Sequence, residues 1–97
     1  MEKKFEITNK LGLHARPATL FVQRVQKYLA EIKVRKDGQE EVADGKSVID
    51  LLTLGAQQGS KVTIIIDGED EEEIMKEIEE LFSNKFYEGW IKIATTD

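Results

Sequence analysis

The chain contains no cysteine. That excludes disulfides and any thiolate metal centre, and it suits a reducing compartment. Its single histidine cannot build a zinc site alone, and no carboxylate stands at a useful ligand offset from it. No apolar run is long enough to cross a membrane, and no signal-peptide pattern precedes the alternation that begins at Lys3, so the expected location is cytoplasmic, without membrane insertion. Basic residues are outnumbered, 14 Lys and Arg against 19 Asp and Glu, for a net charge of −5. A general nucleic-acid binder would need a basic face, so no nucleic-acid partner is expected. A Gly-x-Ser-x-Gly elbow and a glycine-rich nucleotide loop are also missing, which argues against a serine hydrolase and against binding of a nucleoside triphosphate. No cofactor and no metal are expected.

What is present fits one domain. Ninety-seven residues suffice for one modest core, and no repeat, linker or low-complexity stretch divides them. The domain is expected over residues 1–87, with 88–97 as a C-terminal extension to which no role is assigned. Residues 3–8 alternate, with Phe5 and Ile7 on one face, as in a strand. From about 15 to 29, Ala18, Phe21, Val22, Val25 and Leu29 recur at helical spacing, and Pro17 is tolerated in a first turn. Ile32 and Val34 mark a strand over 31–36. Asp37-Gly38 reads as a hairpin turn into a short strand near Glu40 to Ala43.

After the turn at Asp44-Gly45, Ser47 opens a short helix, with Asp50 at capping-box spacing. Gly55 is a plausible stop. Val62, Ile64, Ile65 and Ile66 mark the strongest strand, Lys61 to Asp67. A long helix to about Asn84 then carries Ile74, Ile78, Leu81 and Phe82 on one face. Its acidic start, Glu69 to Glu73, reads as a solvated first turn favoured by the helix dipole; consecutive carboxylates point in different directions and do not form a calcium cage. The residues around Trp90 to Ala94 alternate weakly, as a small strand or a frayed tail. The order βαββαβα predicts an α+β open-faced sandwich: a four-stranded antiparallel sheet with three helices on one face.

Chemistry concentrates in Gly12-Leu13-His14-Ala15-Arg16-Pro17-Ala18. If His14 is the N-cap of the first helix, the N–H groups of Ala15 and Arg16 point outward, and the helix end attracts an anion. Arg16 adds a guanidinium suited to phosphate oxygens. Gly12 lets the loop backbone approach closely. The positive helix end and Arg16 both disfavour imidazolium, so a neutral, nucleophilic ring is expected. Spacing alone leaves two readings open: a histidine that caps a helix, and a histidine that accepts a phosphoryl group.

These residues resemble the active-site motif of the HPr family, the histidine-containing phosphocarriers of the bacterial phosphoenolpyruvate:sugar phosphotransferase system. A second motif, Gly45-Lys46-Ser47-Val48 through Thr53-Leu54-Gly55, extends the resemblance over roughly residues 3–87. It implies a carrier rather than a free-standing enzyme. His14 would accept the phosphoryl group on Nδ1 from enzyme I, charged by phosphoenolpyruvate, and pass it to IIA domains of sugar permeases, with Arg16 as electrostatic partner and Gly12, Ala15 and Arg16 cradling phosphate through the backbone. Docking would use Thr19, Gln23, Gln26, Val48, Ile49 and Leu52. A monomer is expected.

In one branch of that family the serine matching Ser47 is phosphorylated by a dedicated kinase, which slows histidine phosphorylation and recruits a transcription regulator. An N-cap role, worth about 1 kcal/mol, nearly suffices to explain Ser47 by itself. Two positions depart from the family pattern. Leu11 stands where a small polar residue is common, and Asp50 where glycine or a basic residue is expected. The rival readings are a nitrogen-branch phosphocarrier, a regulatory adaptor switched by phosphorylation, and a binding module without phosphotransfer.

Overall fold

The computed structural model describes residues 1–87; the expected alternation around Trp90 to Ala94 lies outside them. Four strands, β1 (Glu2–Glu6), β2 (Glu31–Lys36), β3 (Val42–Asp44) and β4 (Lys61–Asp67), form one sheet in the order β1-β4-β2-β3. Every neighbouring pair is antiparallel, with Phe5 opposite Val62, Val34 opposite Ile64 and Val34 opposite Ala43. Three helices, α1 (Ala15–Val25), α2 (Val48–Thr53) and α3 (Glu71–Ser83), complete the α+β sandwich expected from the pattern.

Period-two alternation explains the sheet's buried side. Ile32, Val34, Ala43, Val62, Ile64 and Ile66 are each at most 5% exposed, because alternate positions of a strand share a face. The same core cluster takes Ala18, Phe21, Val22 and Val25 from α1, Leu51 from α2, and Ile74, Met75, Ile78 and Leu81 from α3. Met75 adds to the predicted face of α3. Phe82 is only partly buried: its ring stacks on Phe5 with centroids 4.4 Å apart and meets Phe86 edge-on at 5.0 Å. Phe86 reaches the core through a left-handed turn in which Lys85, Phe86 and Tyr87 have φ of 50°, 56° and 59°.

Two expected boundaries move. Helix α1 ends at Val25, not near 29, and Leu29 is 93% exposed while Tyr28 is buried. The Tyr28 N–H donates to the Val25 carbonyl at 3.1 Å, tightening the last turn. Its hydroxyl donates to Glu77 on α3, and its carbonyl accepts from the Lys46 ammonium. Those contacts lock the chain out of the helix before Leu29 could join the apolar stripe. Strand β3 begins only at Val42. Gly45 N–H donates to the Ile32 carbonyl at 2.7 Å, and this sets a register in which Arg35 faces Val42. Asp37-Gly38 does turn, with Gly38 at φ +87°, but a longer connection follows it.

The hydrogen bond to Glu77, with burial and the carboxylate charge adding to it, pushes the Tyr28 phenol up from its ordinary 10.0. A neutral phenol favoured by the fold contributes stability that is complete below about pH 10 and is lost as pH rises beyond it. Urea melts from pH 7 upward are expected to show an alkaline loss of stability in the wild type that is smaller in Tyr28→Phe. Identical alkaline profiles would contradict this.

Candidate functional site

The loop before α1 is strapped to the segment that follows α2. Gly12 N–H donates to the Asn9 carbonyl at 3.1 Å, the Asn9 side-chain amide donates back to the Gly12 carbonyl, and Leu13 N–H donates to the Ala56 carbonyl at 2.8 Å. Gly12 takes φ +73°, and a Cβ there would stand 2.5 Å from the Ala56 carbonyl oxygen and 2.8 Å from the Gln57 Cα. Only glycine satisfies both the left-handed backbone and the approach. Leu11 beside it is 69% exposed and takes no part in that approach. Asn9 is buried, which the sequence does not announce, because a lone polar residue in a loop gives no sign of burial.

This strap delivers His14 to the start of α1 in an extended conformation, φ −91° and ψ −168°. His14 is the N-cap, but its side chain makes no capping hydrogen bond. The capping reading of the ring therefore fails. Its carbonyl accepts the Ala18 N–H at 3.0 Å, and Pro17 has no N–H to place. The N–H groups of Ala15 and Arg16 open the helix without intrahelical acceptors, as geometry requires, and find no other acceptor among the described residues. Ala15 and Arg16 are exposed, and the His14 ring is half-buried. Arg16 makes no ion pair among the described residues. Two amides, a guanidinium and an imidazole thus share one helix end. That arrangement can hold an anion, and it can stabilise negative charge built up on the ring.

The remaining candidates lie on the same two helices. Thr19, Gln23 and Gln26 are all exposed, and their i, i+4, i+7 spacing places them on one face of α1. The Thr19 hydroxyl donates to the Ala15 carbonyl at 2.7 Å, and Gln26 is the C-cap. A shallow depression of ≈ 460 Å³ is lined by Ala15, Arg16, Thr19 and Leu20. Leu20 was not anticipated, because its half-buried place follows from packing. On α2, which packs against α1, Ile49 is 74% and Leu52 40% exposed, whereas Val48 is partly buried against the core.

Ser47 caps α2: its hydroxyl oxygen accepts the Asp50 N–H at 3.2 Å. The expected capping box does not close, because the Asp50 carboxylate accepts instead from the Asp44 N–H at 3.1 Å. Among the described residues no cluster of three or more His, Asp or Glu could hold a metal ion, and no helix is long and apolar enough to cross a membrane.

A family model described as the PTS HPr component phosphorylation site matches residues 1–84. The curated phosphocarrier protein HPr of Xylella fastidiosa is 39% identical over 88 residues, covering 91% of this chain and 97% of the relative. An HPr-like protein Crh of Halalkalibacterium halodurans is 42% identical over 76 residues, 78% of this chain and 88% of the relative. The crystal structure of HPr-C-His from Thermoanaerobacter tengcongensis superimposes with a TM-score of 0.83 at 43% identity, covering 91% of this chain and 97% of that one.

The Gly12 contact is open to a direct test. Gly12→Ala is expected to lower stability by about 2 kcal/mol or more, through left-handed strain and the collision with Ala56. Denaturant unfolding checks it, and a loss below about 0.5 kcal/mol would show that the close approach is not required.

Proposed function

The chain belongs to the HPr family of phosphotransferase-system phosphocarriers, and on that footing we propose that it accepts a phosphoryl group on His14 from phosphorylated enzyme I and gives it up to IIA domains of sugar permeases. The observation that carries this reading is the helix end itself: amides at Ala15 and Arg16 with no acceptor among the described residues, beside a ring that makes no capping hydrogen bond. In the forward step, the Nδ1 lone pair of His14 attacks the phosphorus of the phosphoryl group on the donor. The new N–P bond forms as the donor's bond to phosphorus breaks, and the electron pair of that bond stays with the donor. The phosphoryl group adds about −1.5 to −2 of charge, by analogy with other phosphorylated side chains. The Ala15 and Arg16 amides and the Arg16 guanidinium face that charge. The return step onto a IIA domain is the same exchange with roles reversed, so the site must hold the group without trapping it.

Thr19, Gln23, Gln26, Ile49 and Leu52 form the partner surface in this reading, with Val48 supporting it from below. A small apolar contact flanked by neutral amides suits a carrier that must leave quickly. Action as a monomer fits the sheet edges. Strand β1 carries Glu2, Lys3, Lys4 and Glu6, and the Asp44 amide on β3 is already taken by Asp50; both devices discourage edge pairing.

The similarity to Crh-type relatives supports a second reading, in which phosphorylation of Ser47 by a serine kinase makes the chain a regulatory adaptor for a transcription regulator. Ser47 is half-buried and its Oγ holds the α2 cap, so modification there would break an existing contact as well as add charge. His14 at its helix end favours the carrier as the principal role.

With phosphoenolpyruvate and enzyme I, the expected product gains one phosphate that is acid-labile, measured by intact mass before and after acid. His14→Ala abolishes it, and Arg16→Ala slows its formation by about 100-fold, the usual scale for losing one preorganised charge partner. Ser47→Ala keeps it and loses about 1 kcal/mol of stability. An acid-stable adduct that disappears only in Ser47→Ala would favour the adaptor instead.

A further inference from the structure

The proposed docking surface carries a carboxylate held in place by the fold. Asp50 lies in the first turn of α2 between Ile49 and Leu51. At about 100° per residue, Leu52, Ile49, Thr53 and Asp50 follow one another around the helix. The first three are exposed, Asp50 is half-buried, and Leu51 points into the core. The Asp50 carboxylate is not free to swing aside, because it accepts the Asp44 N–H at 3.1 Å. Asp44 in turn turns its own carboxylate onto the Lys46 N–H at 2.9 Å. Beside Asp50, between α2 and β3, is a hollow of ≈ 200 Å³ lined by Glu41, Val42, Ala43, Asp50, Thr53 and Leu54. Among the described residues no basic side chain lines it; Lys33 lines the neighbouring hollow that shares Val42, Ala43 and Asp50, without an ion pair to Asp50.

A protein that covers Ile49 and Leu52 brings its margin across Thr53 to this carboxylate. Asp50 then loses water. A desolvated carboxylate with a hydrogen bond but no ion pair among the described residues is costly, and an acidic partner surface adds repulsion. A cation from the partner relieves both. The α1 half of the surface differs: beyond Arg16 it presents the neutral Gln23 and Gln26, so it makes no matching demand.

We propose that Asp50 is a specificity-determining residue of the transfer, and that enzyme I seats a lysine or arginine side chain in the hollow between α2 and β3, over Thr53. The inference rests on the carrier reading. It selects partners whose contact margin is cationic at that point, and it disfavours partners built to meet a basic residue there.

The test uses enzyme I encoded in the same genome, phosphoenolpyruvate, and the full chain as wild type, Asp50→Asn and Asp50→Lys. Asparagine keeps an oxygen acceptor for the Asp44 N–H while removing the charge, so it separates electrostatics from folding; unfolding midpoints are compared alongside. At low salt, KM for the carrier is expected to rise about threefold in Asp50→Asn and about tenfold in Asp50→Lys, with kcat unchanged. The differences shrink at about 0.5 M salt, where charge contacts are screened. An unchanged or lowered KM in Asp50→Asn overturns the assignment even if Asp50→Lys fails to fold. Failure of the wild type to form an acid-labile adduct removes the carrier reading and this inference with it, whereas normal wild-type transfer with unaltered KM in the variants removes only the inference.

Discussion

The close approach of Gly12 to Ala56 and Gln57 is the constraint on which the rest depends. It fixes the loop that ends in His14 against the chain leaving α2, and so ties the start of one helix to the end of another. Without that strap the N-cap conformation of His14 would be one of several. With it, the first turn of α1 presents two amides that find no acceptor among the described residues, with Arg16 beside them. The sheet contributes by holding both helices down: β4 sits between β1 and β2, and its Val62, Ile64 and Ile66 meet apolar residues from all three helices in one core.

The same economy runs through α2. Six residues are too few to bury every apolar side chain, and Leu51 alone is fully buried while Ile49 and Leu52 face outward. Exposing them lowers solubility and offers little to stability, and the proposed carrier uses them as a contact with its partners. In the proposed carrier that contact is brief, and the chemistry is a single phosphoryl exchange at His14. The protein therefore needs no deep pocket. Its part is to present a nucleophile, offset charge on the product, and release it.

Much of the fold was legible because periodicity records burial. The alternation of Ile32 with Val34, the run from Val62 to Ile66, and the spacing of Ala18, Phe21, Val22 and Val25 each state which face meets the core. The helix end at His14 was legible for a different reason: glycine, histidine and proline at that spacing fit a first turn and little else. The misreadings share a cause. Leu29 continued an apolar stripe, but tertiary contacts of Tyr28 with Glu77 and Lys46 stopped the helix first. Residues 39–41 carry no periodic signal, so the start of β3 followed from the Gly45–Ile32 hydrogen bond. Asp50 had the spacing of a capping box, yet the edge amide of Asp44 outcompeted the N–H of Ser47, which donates to the Asp44 carbonyl instead. Phe86 enters the core through three consecutive left-handed residues, none of them glycine, and no local pattern announces that conformation.

The central claim is that the backbone amides at the head of α1, together with Arg16, hold the phosphoryl group while it rests on His14. Amide NMR spectra of the chain before and after phosphorylation test it most directly. The largest shifts are expected at the Ala15 and Arg16 N–H resonances, with slowed hydrogen exchange there and little change across the sheet. Unmoved Ala15 and Arg16 amides in a protein shown by mass to carry phosphate on His14 would contradict it.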